Sequence, residues 1–404
     1  MDKIISDPVF GFIKIPRGIL LEIIDHPLMQ RLTRINQLGM ASVVYPGARH
    51  TRFNHSLGAF HLASEALMML AQKGNFIFDS EAEAVEAAIL MHDIGHGPFS
   101  HVLENTLIHG ISHEDISLLM MEQINRDLGG QLNLAIRIFS DDYSKHFLHQ
   151  LISSQLDMDR LDYLKRDSFF TGVEEGNIGS ARIIKMLNVN DDELVVDAKG
   201  IYTIENYLTS RRSMYWQVYL HKKAVGCEKM LIATLRRANH LVKRGHELFA
   251  SPSLSYFLHQ RVDKEWFYSH PETLKHYEEL EDNDIWSALK VWQHEEDTVL
   301  STLAGDIINR RLFKVEVSDE PPLPDRVEEI TELISQKMNI PKEEAAYFVN
   351  VSEVSKELYD ATKEAIKIIY KDGTIREISE VSELLNVHLL SKKIRKYYLS
   401  YLRI

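Results

Sequence analysis

Cysteine is nearly missing from this chain: Cys227 is the only one in 404 residues. A lone thiol excludes an intramolecular disulfide and any multi-cysteine zinc site. Long apolar runs are missing as well, and no stretch approaches the ~18 uninterrupted apolar residues of a membrane span. Met1 to Phe10 include Asp2, Lys3 and Asp7, so they do not read as a secretory signal. With the single thiol, this fits a reducing cytosol, and a cytoplasmic location with no membrane partner is the expectation. Internal repeats and low-complexity tracts are absent. Positive charge is scarce: 46 Lys and Arg stand against 59 Asp and Glu, a net charge of −13. So acidic a chain is a poor candidate for wrapping nucleic acid. The basic pairs Arg211-Arg212, Lys222-Lys223, Arg236-Arg237 and Lys243-Arg244 fall in helical stretches, where a solvated face accounts for them. What is present is ordinary globular material, 45% hydrophobic and 26% charged. It is enough for a large core and for two or three domains.

The apolar spacing is mostly helical from Pro16 to about Gly245. Ile19, Leu20, Ile23 and Ile24 form one stripe, broken by Pro27; Leu28, Leu32, Ile35 and Leu38 form the next, stopped by Gly39. An extended link follows over 41–48, then a helix over 54–72. Ser80 with Glu83 predicts a capping box for a helix running towards Gly95. Ser112 predicts the start of a helix to about Leu128. Longer helices are expected over 145–167, 205–223 and 228–244. Leu194-Val196 and Ile201-Ile204 read as a small hairpin around Asp197-Gly200. After about residue 305 the texture changes. Strands are expected at Phe313-Val317, Tyr347-Val351 and, around Asp372-Gly373, Ile366-Tyr370 and Thr374-Ile378. Arg326-Lys337 reads as a helix, and a last helix is expected near Ser382-Tyr398.

The densest chemical signal is Met91-His92-Asp93-Ile94-Gly95-His96-Gly97-Pro98-Phe99-Ser100-His101. An adjacent His-Asp pair can offer one imidazole nitrogen and one carboxylate oxygen to the same divalent ion. Neighbours on a helix point about 100° apart, so both reach one ion only from a helix side or end that faces a crevice. Other elements must complete the shell. His55, in Arg52-Phe53-Asn54-His55-Ser56-Leu57-Gly58, and Asp159, in Asp157-Met158-Asp159-Arg160-Leu161-Asp162-Tyr163, are the candidates. Two His and two Asp make a mixed nitrogen and oxygen shell. Such a shell suits one divalent transition metal (Mn²⁺, Fe, Co or Zn²⁺) better than Mg²⁺.

His55, then His92-Asp93, then Asp159 has the order found in the HD-domain metal-dependent phosphohydrolases. Gln37-Leu38-Gly39, Tyr45-Pro46-Gly47-Ala48 and the two His-bearing runs above together resemble the deoxynucleoside triphosphate triphosphohydrolases, of the SAM-and-HD-domain type and its bacterial relatives. The resemblance covers about residues 1–245 well. It implies a mainly α fold, an HD-domain helical bundle with a small β-hairpin, here followed by a C-terminal α+β subdomain. The expected organisation is 1–48 an N-terminal helical and regulatory segment, 49–245 the HD catalytic core, 246–304 a helical extension and 305–404 the α+β subdomain.

The resemblance also implies a reaction, in which water attacks the α-phosphorus of a dNTP and releases deoxynucleoside and intact triphosphate. The implied ligands are His55, His92, Asp93 and Asp159, with a further Mg²⁺ or Mn²⁺ able to travel with the triphosphate. Arg52, Arg160 and Arg211 would clamp phosphates, with Lys222 nearby. His96, His101 and His113 are candidates for protonating the leaving O5′, with Glu114 orienting His113 and Glu104 orienting His101. Tyr163 and Tyr219 would face the deoxyribose, Asp167 would accept from the 3′-hydroxyl, and Gln37 and Leu38 would lie near sugar or base. Relatives of this type are commonly nucleotide-activated oligomers, so an activating nucleotide and a homo-oligomer (dimer or tetramer) are expected. Lys3, Ile4, Asp25 and Gln30 fall at the corresponding regulatory positions, and Thr33 replaces an arginine of the guanine-reading relatives. The alternatives are another HD phosphohydrolase, acting on nucleoside monophosphates, cyclic nucleotides or guanosine polyphosphates, and, in a different class, a non-catalytic nucleotide sensor.

Overall fold

The structure is a computed structural model and describes residues 2–104, 106–356, 359, 364–383 and 394–403. The chain is mainly α. It nevertheless opens on two strands that the helical reading of 1–48 did not anticipate: β1 (Lys3–Asp7) and β2 (Gly11–Ile15) form an antiparallel hairpin. Strand alternation sends Ile13 and Ile15 into the core and leaves Phe12 and Lys14 outside. Asp7 closes the turn, its Oδ1 accepting from the Val9 and Phe10 amides at 2.9 Å each. The two apolar stripes that follow become α1 (Ile19–Asp25) and α2 (Pro27–Arg31), with Pro27 at the first position of α2.

α3 (Arg52–Gln72) starts on Thr51, whose amide donates to the Asn54 side chain at 3.0 Å in a reciprocal cap. α4 (Asp79–Met91) is capped differently from the expected Ser80 and Glu83 pair. Glu81 takes the Phe78 amide at 2.9 Å, and Lys145 and Tyr143 reach the same carboxylate at 2.6 Å each. A buried carboxylate with three donors outcompetes an exposed serine. α5 (Ser100–Glu104) and β3 (Ile108–His109) lead to α6 (His113–Asp127), which Ser112 caps as expected. Beyond α7 (Asn133–Phe139), the helix expected over 145–167 is two, α8 (His146–Gln150) and α9 (Met158–Thr171). Asp157 causes the break: it accepts the Ser154 and Arg160 amides at 2.8 and 2.6 Å and starts a new helix.

After α10 (Ser180–Met186), the hairpin lies one strand earlier than expected. β4 (Leu187–Asn190) pairs with β5 (Glu193–Asp197) across Asp191-Asp192, both left-handed at φ 51° and 59°. Ile201-Ile204 instead opens α11 (Ile201–Met214); Gly200 is there for packing, since a Cβ would sit 2.7 Å from Val196 Cγ1. A π-helical stretch, Tyr215–Tyr219, extends α11. His221 then caps α12 (Lys222–Lys243), so the boundary expected between 223 and 228 falls at Leu220-His221. Arg211 and Lys222 thereby belong to different helices.

Five further helices fill residues 252–308, with β6 (Val262–Asp263) pairing parallel to β3. β7 (Lys314–Ser318), β8 (Val349–Lys356) and β11 (Ile394–Tyr401) form an antiparallel sheet with β11 in the centre. Ile394–Tyr398 is therefore strand and not the expected closing helix, in keeping with its β-favouring Ile and Tyr residues; 384–393 lie outside the described residues. β9 (Lys367–Ile369) and β10 (Ile375–Glu377) form the hairpin expected around Asp372-Gly373. They join β5 and β4 instead of the C-terminal sheet, in the order β10-β9-β5-β4, which ties the tail to the helical core. Among the described residues, no helix is long and apolar enough to cross a membrane.

Candidate active site

Three elements meet at one point. The first turn of α3 carries Arg52 and His55, the turn after α4 carries His92, Asp93 and His96, and the first turn of α9 carries Asp159. Leaving the helix at His92 lets neighbouring side chains face the same space. That turn is held mainly through its backbone. The buried Arg31 guanidinium donates to the carbonyls of His96 (2.8 Å), Ile94 (3.4 Å), Tyr277 and Leu280 (both 3.2 Å). Ser117 Oγ donates to the His92 carbonyl at 2.8 Å and accepts from the Gly95 amide at 2.9 Å. A Cβ on Gly95 would lie 2.2 Å from Ser117 N, and one on Gly97 2.8 Å from the Tyr277 hydroxyl. These glycines let the turn lie flat against α6 and the helix at Pro271–Glu279.

His55 Nε2 lies 3.2 Å from His92 Nε2 and 3.2 Å from Asp159 Oδ1, and His92 Nε2 lies 3.6 Å from the same oxygen. Donors about 2.1 Å from one ion and roughly 90–120° apart are separated by about 3.0–3.6 Å, so this triangle has the size a first-row divalent ion requires. Asp93 approaches the two Nε2 atoms at 3.7 and 3.5 Å while its oxygens are drawn to Arg52 (2.5 Å) and His96 (3.3 Å).

The tautomers follow from the outer partners. His92 Nδ1 faces the Ile89 carbonyl at 2.6 Å and His55 Nδ1 faces Asp162 Oδ2 at 2.7 Å. Both oxygens only accept, so each Nδ1 keeps its proton and each Nε2 presents a lone pair. Two facing nitrogens at this distance need positive charge between them, a shared proton when no ion is bound. The same demand appears in the protonation balance. Burial opposes charge on His55, yet Asp159 and Asp162 outweigh it and push the imidazole up to about 10. His92 is raised, against burial, by Asp93 and Asp159. Asp159 is held below the usual carboxylate range by the two imidazoles despite its burial. A divalent cation answers that demand directly, and the donor set fits one.

Behind Asp93, burial together with Arg52 pushes His96 down to about 3, so it is a neutral imidazole. It stacks on His113 with centroids 3.9 Å apart, and its Nδ1 lies 2.8 Å from Ser100 Oγ. Burial opposes charge on His113 too, but Glu104 and Glu114, each 3.2 Å from a ring nitrogen, raise it above its ordinary value. His101 stands apart on the surface, its side chain 75% exposed and 3.6 Å from Glu104.

The remaining candidates surround the centre unevenly. Tyr163 presents its edge to His55 and to Tyr219, at 6.5 and 6.0 Å between centroids. Tyr219 donates to Asp167 Oδ2 and His50 Nε2 to Asp167 Oδ1, both at 2.8 Å. Arg160 is engaged by Asp157 and the Ser154 carbonyl, and Arg211 by Gln155 at 2.8 Å. The Gln37 backbone N–H donates to the His50 carbonyl at 3.0 Å, and Leu38 is half-buried beside it. Gln37 Oε1, His50 Nδ1, Arg52 Nε and Arg211 Nε are buried without a protein partner, leaving polar capacity in this wall. Sequence reasoning assigned no role to His50, Arg31, Asp162 or Arg166. Asp162 alone had a signal, three positions after Asp159 within a quoted motif.

On a separate face, Lys3 and Asp25 pair at 2.7 Å, Ile4 is 66% exposed, and Gln30 donates to the Ile24 carbonyl at 2.8 Å while Thr33 donates to the Gln30 carbonyl.

The HD domain family matches residues 52–167, the stretch that holds α3, α4 and α9, and the HD associated region matches residues 178–248. The chain belongs to the HD-domain family. A crystal structure of a phosphohydrolase from Bacteroides thetaiotaomicron is 62% identical and matches with a TM-score of 0.98 over 100% of both chains. The uncharacterized protein YwfO of Bacillus subtilis is 31% identical over 95% of this chain and 88% of its own length. The deoxynucleoside triphosphate triphosphohydrolase SAMHD1 homolog of Dictyostelium discoideum is 31% identical over 61% of this chain, which spans about half (51%) of that relative. HD domains bind a divalent metal, and among the described residues His55, His92 and Asp159 form the group able to hold one.

Proposed function

We propose that the chain is a metal-dependent dNTP triphosphohydrolase that cuts at the α-phosphorus and releases deoxynucleoside and triphosphate. The observation that carries the reading is the pair of facing Nε2 atoms of His55 and His92 beside Asp159, with buried arginines and a Tyr-Asp-Tyr cluster around them. His55, His92, Asp93 and Asp159 hold the ion. When bound, a divalent transition metal supplies Lewis-acid polarisation of a phosphoryl oxygen and lowers the pKa of a water molecule.

The protein's own groups do the rest. Arg52, Arg160 and Arg211 meet the negative charge of the triphosphate, with or without an accompanying Mg²⁺ or Mn²⁺. Asp167, fixed at both oxygens by His50 and Tyr219, has lone pairs left to accept from the 3′-hydroxyl, and Tyr163 closes the space at C2′. The leaving O5′ needs a proton. His113, raised between Glu104 and Glu114, stores one; the neutral His96 stacks on it and faces Asp93 through Nε2 at 3.3 Å. Activation by a second nucleotide at the Lys3 and Asp25 face, within a homo-oligomer, completes the reading.

The test is to incubate the protein with each dNTP, singly and in pairs, with Mn²⁺ and separately with Mg²⁺, and to resolve the products by ion-exchange chromatography. Triphosphate is the expected product. Orthophosphate or pyrophosphate would mean that a different bond is cut. Turnover of monophosphates or cyclic nucleotides alone would move the chain to another branch of the family.

A further inference from the structure

We infer that Asp7, in the N-terminal hairpin, is a positioning residue for the metal centre, acting on His55 through a buried line of alternating charge. The inference rests on the reading of His55 as a metal ligand. The line runs from His55 Nδ1 to Asp162 Oδ2 at 2.7 Å, from the Asp162 carboxylate to Arg166 at 2.9–3.2 Å through Nε and Nη2, and from Arg166 Nη1 to Asp7 Oδ2 at 2.7 Å. All four side chains are 0–1% exposed. α3 is shaped around this line. A Cβ on Gly58 would lie 1.8 Å from Asp162 Oδ1 and 2.2 Å from Arg166 Nη2, so the glycine one turn after His55 is what lets the pair pass. Phe10, in the turn that Asp7 closes, covers the far end, its ring centroid 5.6 Å from the Arg166 guanidinium and 5.2 Å from the His61 ring.

Each member affects the next. The Asp162 carboxylate orients His55 and makes its Nε2 a better donor. Arg166 competes for that same carboxylate, since its Nε and the His55 Nδ1 share Oδ2. Asp7 gives Arg166 a second anion and so leaves more of the Asp162 charge to the imidazole. Without the Asp7 carboxylate the guanidinium leans wholly on Asp162, the His55 hydrogen bond weakens and the ion is held less tightly. A hairpin that touches no substrate group would thereby set the affinity of the centre.

The experiment titrates metal-free full-length protein with Co²⁺ in wild type, Asp7→Asn, Asp7→Ser and Asp7→Glu. It follows the visible ligand-field spectrum and the dissociation constant by chelator competition, with thermal unfolding of the metal-free forms alongside. Asn and Ser can both still cap the Val9 and Phe10 amides, so they remove the charge and keep the turn. The expected result is a Co²⁺ affinity weakened about tenfold in both, the lower end of what outer partners of metal ligands contribute. The spectrum should be altered and Asp7→Glu should recover most of the loss. Should the Asn and Ser variants fail to fold, Phe10→Leu, which uncovers Arg166, is expected to shift the affinity in the same direction by less. Unchanged affinity and spectrum in variants that fold, or a lowered metal-free melting temperature as the sole effect, would overturn the inference and leave the metal centre standing. Wild-type protein that binds no Co²⁺ would overturn both.

Discussion

Replacing Gly95 by alanine adds one methyl group at the point where the His-Asp turn meets α6. The new Cβ would lie 2.2 Å from Ser117 N, 2.3 Å from the His113 carbonyl oxygen and 2.7 Å from Ser117 Oγ. Two of these atoms belong to the backbone of a capped helix, so they cannot swing aside. The residue is not in the left-handed region, so the whole cost is steric. Overpacking of this kind costs roughly 1–3 kcal/mol. Pushing the turn off α6 also strains two hydrogen bonds through Ser117, to the His92 carbonyl and from the Gly95 amide. Each is worth about 1 kcal/mol. The expected loss is therefore about 2–4 kcal/mol. The control is Gly179→Ala, where the nearest atom to the new Cβ is 3.9 Å away and only the roughly 0.5–1 kcal/mol of replacing a glycine N-cap by alanine is expected. Urea denaturation of both variants reads the difference in midpoint. Gly95→Ala as stable as wild type, or no less stable than Gly179→Ala, would refute the packing argument.

Burial pushes Asp282 up to about 6, against the Asn36 amide and side chain that donate to it at 2.9 and 2.7 Å. Its folded pKa lies above the ordinary 3.8, so the folded state binds the extra proton and stability falls as pH rises from about 4 to 6. Asp282→Asn should relieve roughly 3 kcal/mol of that cost near pH 8 and little near pH 4; a pH-independent difference in denaturation midpoint would contradict the burial argument. His113→Ala is expected to lower kcat by a factor of about 100 or more, while the exposed His101→Ala costs little; the reverse order in steady-state rates would reassign the proton donor. Asp167→Ala should lower dNTP turnover far more than hydrolysis of a simple phosphodiester, and equal loss in the two assays would make it a support of the fold and not a reader of sugar.

Where the sequence was readable, a strong local signal matched the tertiary demand. Ser112 had both a capping side chain and an acidic partner three residues on, and α6 begins there. His55, His92 and Asp159 are far apart in sequence. Their meeting was expected from the resemblance, because no local pattern encodes a distance between helices. The errors share a cause. Asp157 and Glu81 are carboxylates whose partners lie elsewhere in the fold, and those partners moved a helix start that propensity had placed differently. The β1-β2 hairpin was invisible because five-residue strands carry too few alternations to stand out. β11 reads as helix or strand by period until β7 and β8 flank it. His50 and Arg166 gave no signal at all: their roles exist only through Asp167 and Asp162 on another helix.

Metal content tests the central claim most directly. Protein purified without chelator and analysed by elemental mass spectrometry, with X-ray absorption of the bound metal, is expected to hold one transition-metal ion per chain. Two imidazole nitrogens should be bound at about 2.1 Å, and the signal should be lost in the double variant His92→Ala, Asp93→Ala. A chain that takes up no ion, an absorption spectrum without imidazole ligands, or full occupancy in the double variant would contradict the account.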